Sequence, residues 1–414
     1  RKALLIYNHN ELERDGRVHL GEALQAMAEA HFELGELNDA LSSFEDCLEI
    51  FQSELGEEDQ RVGDVHFRIG SIQRHLRQYS DAMQQYQLCV GIRKSRGKDD
   101  ESVAEVLYEV GQVLEGQREL TQAIDVFVEV LRILKLRLGK DHVRVAETLN
   151  KIGTVYAERE EFDLALKSFQ EALGIYKDSL GSDSVEVGHT MHHIGGVHDA
   201  RSEHDESLKC FSEALRIFRL KLGSDDLSVA LALNNVGINH ARRKEYAKAI
   251  ELCTEALRIR RLNLGTEHMD VADALYNIGN ILDEWGKDDQ ALKFYGESMS
   301  LYRSKLGDDD VEVANCFQYI GSIYVRKNEH DRAIASYMES LRIYRLKHGD
   351  DSLDVAGILF NLGRIYGKRA EYDKALSCFT ECLRIRKAEL GEDDLDVIAA
   401  RRFVEAIQRK TRRN

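Results

Sequence analysis

From residue 143 to about residue 159 the apolar positions Val145, Leu149, Ile152, Val155 and Tyr156 fall three or four apart, the spacing of one face of an α-helix. From residue 162 to about 179 the set Phe162, Ala165, Leu166, Phe169, Ala172, Leu173 and Tyr176 does the same. Neither stripe can bury itself alone. The polar Glu160 and Glu161 between them predict a turn, so the two helices should fold back on one another as an antiparallel pair.

This unit repeats along the chain. Gly56, Gly97, Gly139, Gly181, Gly223, Gly265, Gly307, Gly349 and Gly391 lie 42 residues apart, except for a first interval of 41. Each is followed two residues later by an acid, from Glu58 and Asp99 to Asp393, and six residues later by a valine, from Val62 to Val397. The glycine is expected to close the preceding helix in a left-handed conformation, and the acidic or Ser residues after it to cap the next helix at its positive dipole end. Basic ends such as Arg258, Arg260 and Arg261 suit the opposite pole.

A second set of small residues, Ala28, Gly70, Gly111, Gly153, Gly195, Gly237, Gly279, Gly321 and Gly363, marks where paired helices approach most closely. The count is nine complete pairs between about His19 and Leu390. Residues 3–7 read as the tail of an earlier second helix, which makes 1–18 a remnant and junction, 19–394 the repeat array and 395–414 a final helix with a basic tail. In that helix Arg401, Arg402, Arg409, Lys410, Arg412 and Arg413 would solvate the end of the stack, as a cap must. The chain opens at Arg1 rather than Met, so it is expected to be a piece of a longer protein, with flanking modules unseen.

Leu149, Ile152, Gly153, Tyr156, Phe162, Ala165, Phe169 and Ala172 together resemble the tetratricopeptide pattern. The 42-residue period, with the junction L-G-x-D-H-x-x-V-A, resembles the repeat of kinesin light chains and of nephrocystin-like and signalling ATPase proteins. It departs where those junctions carry Pro after the His, since here stands Val143. The resemblance implies an all-α fold, a right-handed superhelical α-solenoid of about nine helix pairs with a C-terminal capping helix. Armadillo and HEAT repeats share the length range but not the L-G and Ala-x-x-x-Phe spacing.

Composition narrows the function. The formal net charge of −16 argues against nucleic acid and mildly favours cationic partners. No run of apolar residues is long enough to span a bilayer, and no secretory signal segment opens the chain. The seven cysteines lack metal-binding spacing and sit inside helices, Cys47, Cys89 and Cys382 at the register of Ala172 and Cys253 at that of Phe169. They read as packed thiols of a cytoplasmic or other reducing intracellular compartment. No phosphate-binding, dinucleotide, nucleophile-elbow or zinc-protease motif is present, so this segment is not expected to be an enzyme and no cofactor is called for.

Two constellations remain. His189, His192 and His193 lie three and four apart on one predicted helix, a spacing metals use, yet sequence supplies no further ligand; solvated histidines lining a groove are the simpler reading. His198 and His240 take the place of Tyr156 and read as core.

The family resemblance further implies that first helices line a concave groove for extended peptides. One inward register holds Lys151, His193, Asn235, Asn277, Tyr319 and Asn361, and a second holds Thr154, Gly196, Ile238, Asn280, Ser322 and Arg364. Asn235, Asn277 and Asn361 match asparagines that bond a peptide backbone in that family, and a carboxamide can do so because it offers both donor and acceptor. Tyr276, Tyr319 and Phe360 would supply apolar pockets. Early inward positions are acidic (Glu22, Glu29, Glu33, Asp64, Glu105, Glu109, Glu115) and late ones basic (Arg326, Arg364, Lys368, Arg402), which would orient a ligand with its basic part toward the N-terminal repeats. The expected function is a scaffold or adaptor that binds protein segments. The alternatives are the sensor arm of a larger enzyme and a structural subunit of a large assembly.

Overall fold

A computed structural model of the chain describes residues 14–95 and 101–411. Residues 3–7, Gly97, Asp99, Arg412 and Arg413, singled out above, lie outside the described residues. Among the described residues there are nineteen α-helices and no strand. They form two compact units, one up to Ile217 and one from Phe218 onward.

The helices come in pairs. In the first unit they are α1 (Arg14–Glu33) and α2 (Leu37–Leu55), α3 (Gln60–His75) and α4 (Tyr79–Lys94), α5 (Glu101–Gly116) and α6 (Leu120–Leu138), α7 (Val143–Glu158) and α8 (Phe162–Leu180), then α9 (Val185–Ala200). The unit boundary falls inside α10 (His204–Leu222). The second unit continues with α11 (Leu227–Arg242) and α12 (Tyr246–Leu264), α13 (Met269–Glu284) and α14 (Asp288–Leu306), α15 (Val311–Arg326) and α16 (His330–His348), α17 (Leu353–Lys368) and α18 (Tyr372–Leu390), and ends on α19 (Leu395–Thr411). Among the described residues the first helix already includes Arg14, ahead of the expected His19. The short first period shows as a truncated second helix: α4 has 16 residues, whereas α6 has 19.

Small residues let the paired helices close. A Cβ added to Gly153 would lie 2.7 Å from the Phe169 ring, and one on Gly279 would lie 2.8 Å from Tyr295. At Gly237 the neighbour is Cys253 Sγ at 2.5 Å, the substitution of sulfur for an aromatic that the repeat register indicated. All seven thiols are unpaired, and burial pushes each above its ordinary pKa, Cys253 and Cys316 to about 12.

One turn assignment changes. Among the described residues the junction glycines do adopt positive φ, but Gly181 at φ 90° and ψ 156° is extended rather than left-handed helical. That region is open essentially to glycine alone. The left-handed helical residue sits instead in the turn within each pair, at Gly35, Arg77, Arg118, Glu160, Ser202, Lys244, Gly286, Asn328 and Ala370. There the backbone closes as a Schellman motif, with Glu161 N–H donating to the Tyr156 carbonyl at 2.9 Å and Glu160 N–H to that of Ala157 at 3.0 Å. The expected acidic and Ser caps are present among the described residues. Asp59, Ser184, Asp226, Asp310 and Ser352, three residues after a junction glycine, accept from the first turn of the next helix. His142 and His268 do so through Nδ1, each at 3.2 Å.

Candidate functional site

The expected binding residues all lie on the first helices of their pairs. In the second unit Asn235, Tyr276, Asn277, Asn280, Tyr319, Phe360 and Asn361 are half-buried, and Arg364 and Lys368 are exposed. Several are already engaged. Asn277 donates to Asn234 Oδ1 at 3.3 Å, and Asn280 accepts from the Tyr295 hydroxyl at 2.6 Å. Tyr276 and Tyr319 meet edge to face at 5.8 Å, with Tyr319 stacked on Tyr295 at 5.5 Å. Such contacts fix the rings as a rigid aromatic step between consecutive pairs.

Sequence reasoning missed one member of this step. Phe403, on α19, stands one 42-residue period after Asn361 and packs on Phe360 at 5.1 Å and on Phe379 at 5.0 Å. The final helix therefore keeps the register of a first helix, and Phe403 there repeats the stacking of Tyr319 two periods earlier. The signal lay in the period, but basic residues around it read as solvent-facing. Phe360, expected to offer an open pocket, is instead covered on one side by Phe403 and on another by the Arg386 guanidinium at 4.9 Å.

Between α15, α16 and α17 a cleft of about 270 Å³ opens, lined by Ser322, Arg326, Tyr337, Asn361, Arg364 and Lys368. Arg326 is neutralised by Asp283 and by Asp288, the latter at 2.8 Å. Among the described residues Asn361, Arg364 and Lys368 have no side-chain hydrogen bond or ion pair, so this cleft presents uncompensated positive charge beside an unused carboxamide.

In the first unit the expected acidic lining is largely neutralised. Asp64 and Glu105 share Arg93 at 3.0 and 2.8 Å, Glu109 pairs with Arg74 at 2.8 Å, and Glu115 holds Lys151 at 2.7 Å. Glu22 and Glu29 lie 3.7 Å from Arg61 and 4.0 Å from Arg68. Lys151, predicted as a ligand contact, is thus committed to Glu115. Of the seven acids only Glu33 lacks an ion pair among the described residues, and it lines a small cavity of about 90 Å³ with Glu29, Phe32 and Arg68.

The histidine cluster is solvated at two of its three positions, as expected, and packed at the third. His189 and His193 are exposed, His193 with one face stacked flat on Phe169 at 5.5 Å, while His192 is half-buried and packs on Phe211 at 5.1 Å. Burial among these walls, then the neighbouring histidines, lowers His192 to about 4. His192 is therefore neutral at pH 7. The nitrogens of the cluster do not converge as a metal set; among the described residues the group that does is the surface trio His31, Glu36 and Asp39, with ligand atoms within 4.8 Å. His198 and His240 serve the turns, each bonded to the glutamate five residues on, Glu203 at 2.6 Å and Glu245 at 2.8 Å. Among the described residues no helix is long and apolar enough to cross a membrane.

Comparison with known proteins agrees with this architecture. A family model described as tetratricopeptide repeat matches residues 20–95, 102–178, 144–220, 186–260, 228–304, 288–346 and 310–388. The apo form of RapI superposes with a TM-score of 0.58 and 15% identity, covering 95% of this chain and 99% of that one. At that identity the likeness speaks to fold alone. BtubC (BKLC) from P. vanneervenii aligns over 56% of this chain and 92% of its own, with 21% identity and a TM-score of 0.48. A Podosopora anserina putative kinesin light chain with nearly identical TPR-like repeats covers 49% and 97%, at 13% identity and a TM-score of 0.44. No curated protein matches the chain. The family matches together cover residues 20–95 and 102–388, nearly all of the described helices, and the chain belongs to the tetratricopeptide repeat family, an α-solenoid of the kind that mediates protein–protein interaction.

Proposed function

We propose that the chain is a non-catalytic scaffold that holds an extended segment of a partner protein along the first helices of its second unit. The observation that carries the reading is the cleft of about 270 Å³ in which Asn361, Arg364 and Lys368 lack partners among the described residues. A carboxylate of the ligand, from an acidic side chain or a free C-terminus, satisfies both cations there, and Asn361 pairs with the adjacent backbone. The Tyr276 and Tyr319 step accepts an apolar side chain further along. The polarity argued from sequence survives only at this end, because the acids of the first unit are spent on their own neighbours. Unpaired thiols suit a reducing compartment, and a net charge of −16 disfavours nucleic acid.

The test begins with pull-down and peptide mapping, followed by fluorescence-anisotropy titration of the mapped peptide. Changing Asn235, Asn277 and Asn361 together to Ala removes three backbone bonds of about 0.5 to 1.5 kcal/mol each, a loss of roughly tenfold to a thousandfold in affinity. Asn361→Ala and Arg364→Gln should account for much of it, and added salt should weaken the wild type. Unchanged affinity, with loss instead on substituting the outward faces of the second helices, would transfer the function to those faces.

A further inference from the structure

In four pairs an arginine of the second helix reaches the acid two residues after its own junction glycine. Arg216 pairs with Asp183, Arg258 with Asp225 at 2.5 Å, Arg342 with Asp309 at 2.6 Å and Arg384 with Asp351 at 2.6 Å, always across 33 residues. Three of these arginines also hold a glutamate on their own helix, Glu213, Glu255 and Glu339. One planar guanidinium thus bridges two carboxylates.

The second pair keeps the acid and lacks the rest. At the arginine register, 33 residues after Glu58, stands Gly91, and Leu88 replaces the glutamate. The register is sound here, since Arg93 bonds Asp64 across the same 29 residues that separate Tyr302 from Asp273. A Cβ on Gly91 would meet nothing within 4 Å. In the arginine's place is an open cleft of about 410 Å³, whose lining includes Glu57, Glu58, His66, Leu88, Gly91 and Ile92. That is room for a side chain, given about 30 Å³ for a water molecule.

His66 adds a second signal. It stands where the other pairs from the third onward, apart from pairs with Met191 and Phe317, carry leucine, and it is only 4% exposed. Its Nδ1 lies 2.6 Å from Gln85 Oε1, an atom that can only accept, so the proton is on Nδ1 and Nε2 keeps its lone pair. Among the described residues Nε2 has no partner, and neither Glu57 nor Glu58 makes an ion pair. Glycine alone at the arginine register does not create this site. Gly174 occupies it in the fourth pair, but there Glu171 remains, held by Lys135 at 2.8 Å, and Leu149 replaces the histidine.

We propose that this cleft is a socket for an arginine side chain supplied by another polypeptide, with its guanidinium on Glu58 and His66 Nε2 and its methylenes on Leu88 and Ile92. The four internal arginines identify the chemistry, since each shows a guanidinium seated on the equivalent carboxylate. Both acceptors take N–H donors from one planar fork, which a lysine ammonium matches less well.

The test uses the full chain and three probes followed by ligand-observed NMR titration: a short end-blocked peptide with one arginine, its citrulline counterpart, and acetyl-arginine amide. The arginine peptide should bind at least about tenfold more tightly than the citrulline one, a difference of about 1.4 kcal/mol. Gly91→Arg, which supplies the guanidinium from within, should abolish binding without lowering the melting temperature. Glu58→Gln should weaken it about tenfold, and Gly174→Arg should leave it unchanged. Equal binding of both peptides, no binding to the wild type, or full binding to Gly91→Arg would each overturn the socket. Acetyl-arginine amide binding as tightly as the peptide would overturn the assignment to a polypeptide partner in favour of a small guanidinium compound.

Discussion

Gly237 allows the closest-approach argument to be tested quantitatively. A Cβ there would sit 2.5 Å from Cys253 Sγ and 3.2 Å from the Ala249 carbonyl oxygen, against ordinary contact at 3.4 Å or more. The carbonyl belongs to a helix backbone and cannot swing aside, and Cys253 is itself only 1% exposed. Overpacking of this kind costs about 1 to 3 kcal/mol, while alanine gains about 1 kcal/mol over glycine in a helix. Gly237→Ala should therefore lose up to about 2 kcal/mol net, and Gly237→Leu more. Gly296→Ala is the control in the same unit, since nothing lies within 4 Å of its added Cβ, and it should gain about 1 kcal/mol. Removing the sulfur in Gly237→Ala/Cys253→Ala should recover part of the loss, a coupling of about 1 to 2 kcal/mol. Because a repeat array need not unfold in one step, the assay is hydrogen exchange resolved over α11 and α12, alongside thermal melts. Trp285, stacked on Tyr246 at 6.1 Å, reports fluorescence from the neighbouring interface. Equal protection of the two alanine variants, or strict additivity in the double variant, would refute a steric contact between these helices.

Two further predictions follow from the turns and the histidines. Ala370→Gly should stabilise its turn by up to about 1 kcal/mol because Ala370 is held at φ 59°, Gly286→Ala should destabilise by a similar amount, and Gly181→Ala should cost more, since its extended positive-φ region excludes side chains; thermal melts rank the three. His192 has a folded pKa of about 4 against an ordinary 6.5, so the folded state binds fewer protons than the unfolded one. Its contribution is complete above pH 6.5 and lost as the pH falls toward 4, by up to about 3 kcal/mol. Exchange across α9 measured at both pH values should show a smaller acid loss in His192→Phe, and an identical pH profile in the two proteins would remove the burial of this ring as its cause.

The repeat period determined the helices, their pairing and the glycine-to-aromatic contacts. It did so because which residues share a buried stripe is a local property, set by 3.6-residue periodicity and by the size of one residue at each crossing. Gly153 against Phe169, and Cys253 standing in for an aromatic opposite Gly237, were legible on those grounds alone. The turns were only half legible. A glycine announces positive φ, but the Schellman turns are imposed by helix closure and accept Arg77, Glu160 or Lys244 without any sequence mark. The charge map was not legible, because whether an acid is available depends on partners 12 to 43 residues away that only stacking brings together. Asp64 and Glu105 looked like groove acids until Arg93 was found between them, and Asp183 looked like a cap until Arg216 claimed it. For the same reason the sequence placed Arg364, Lys368 and Glu58 in the repeat, and only the tertiary structure distinguished them as charges without an ion pair among the described residues.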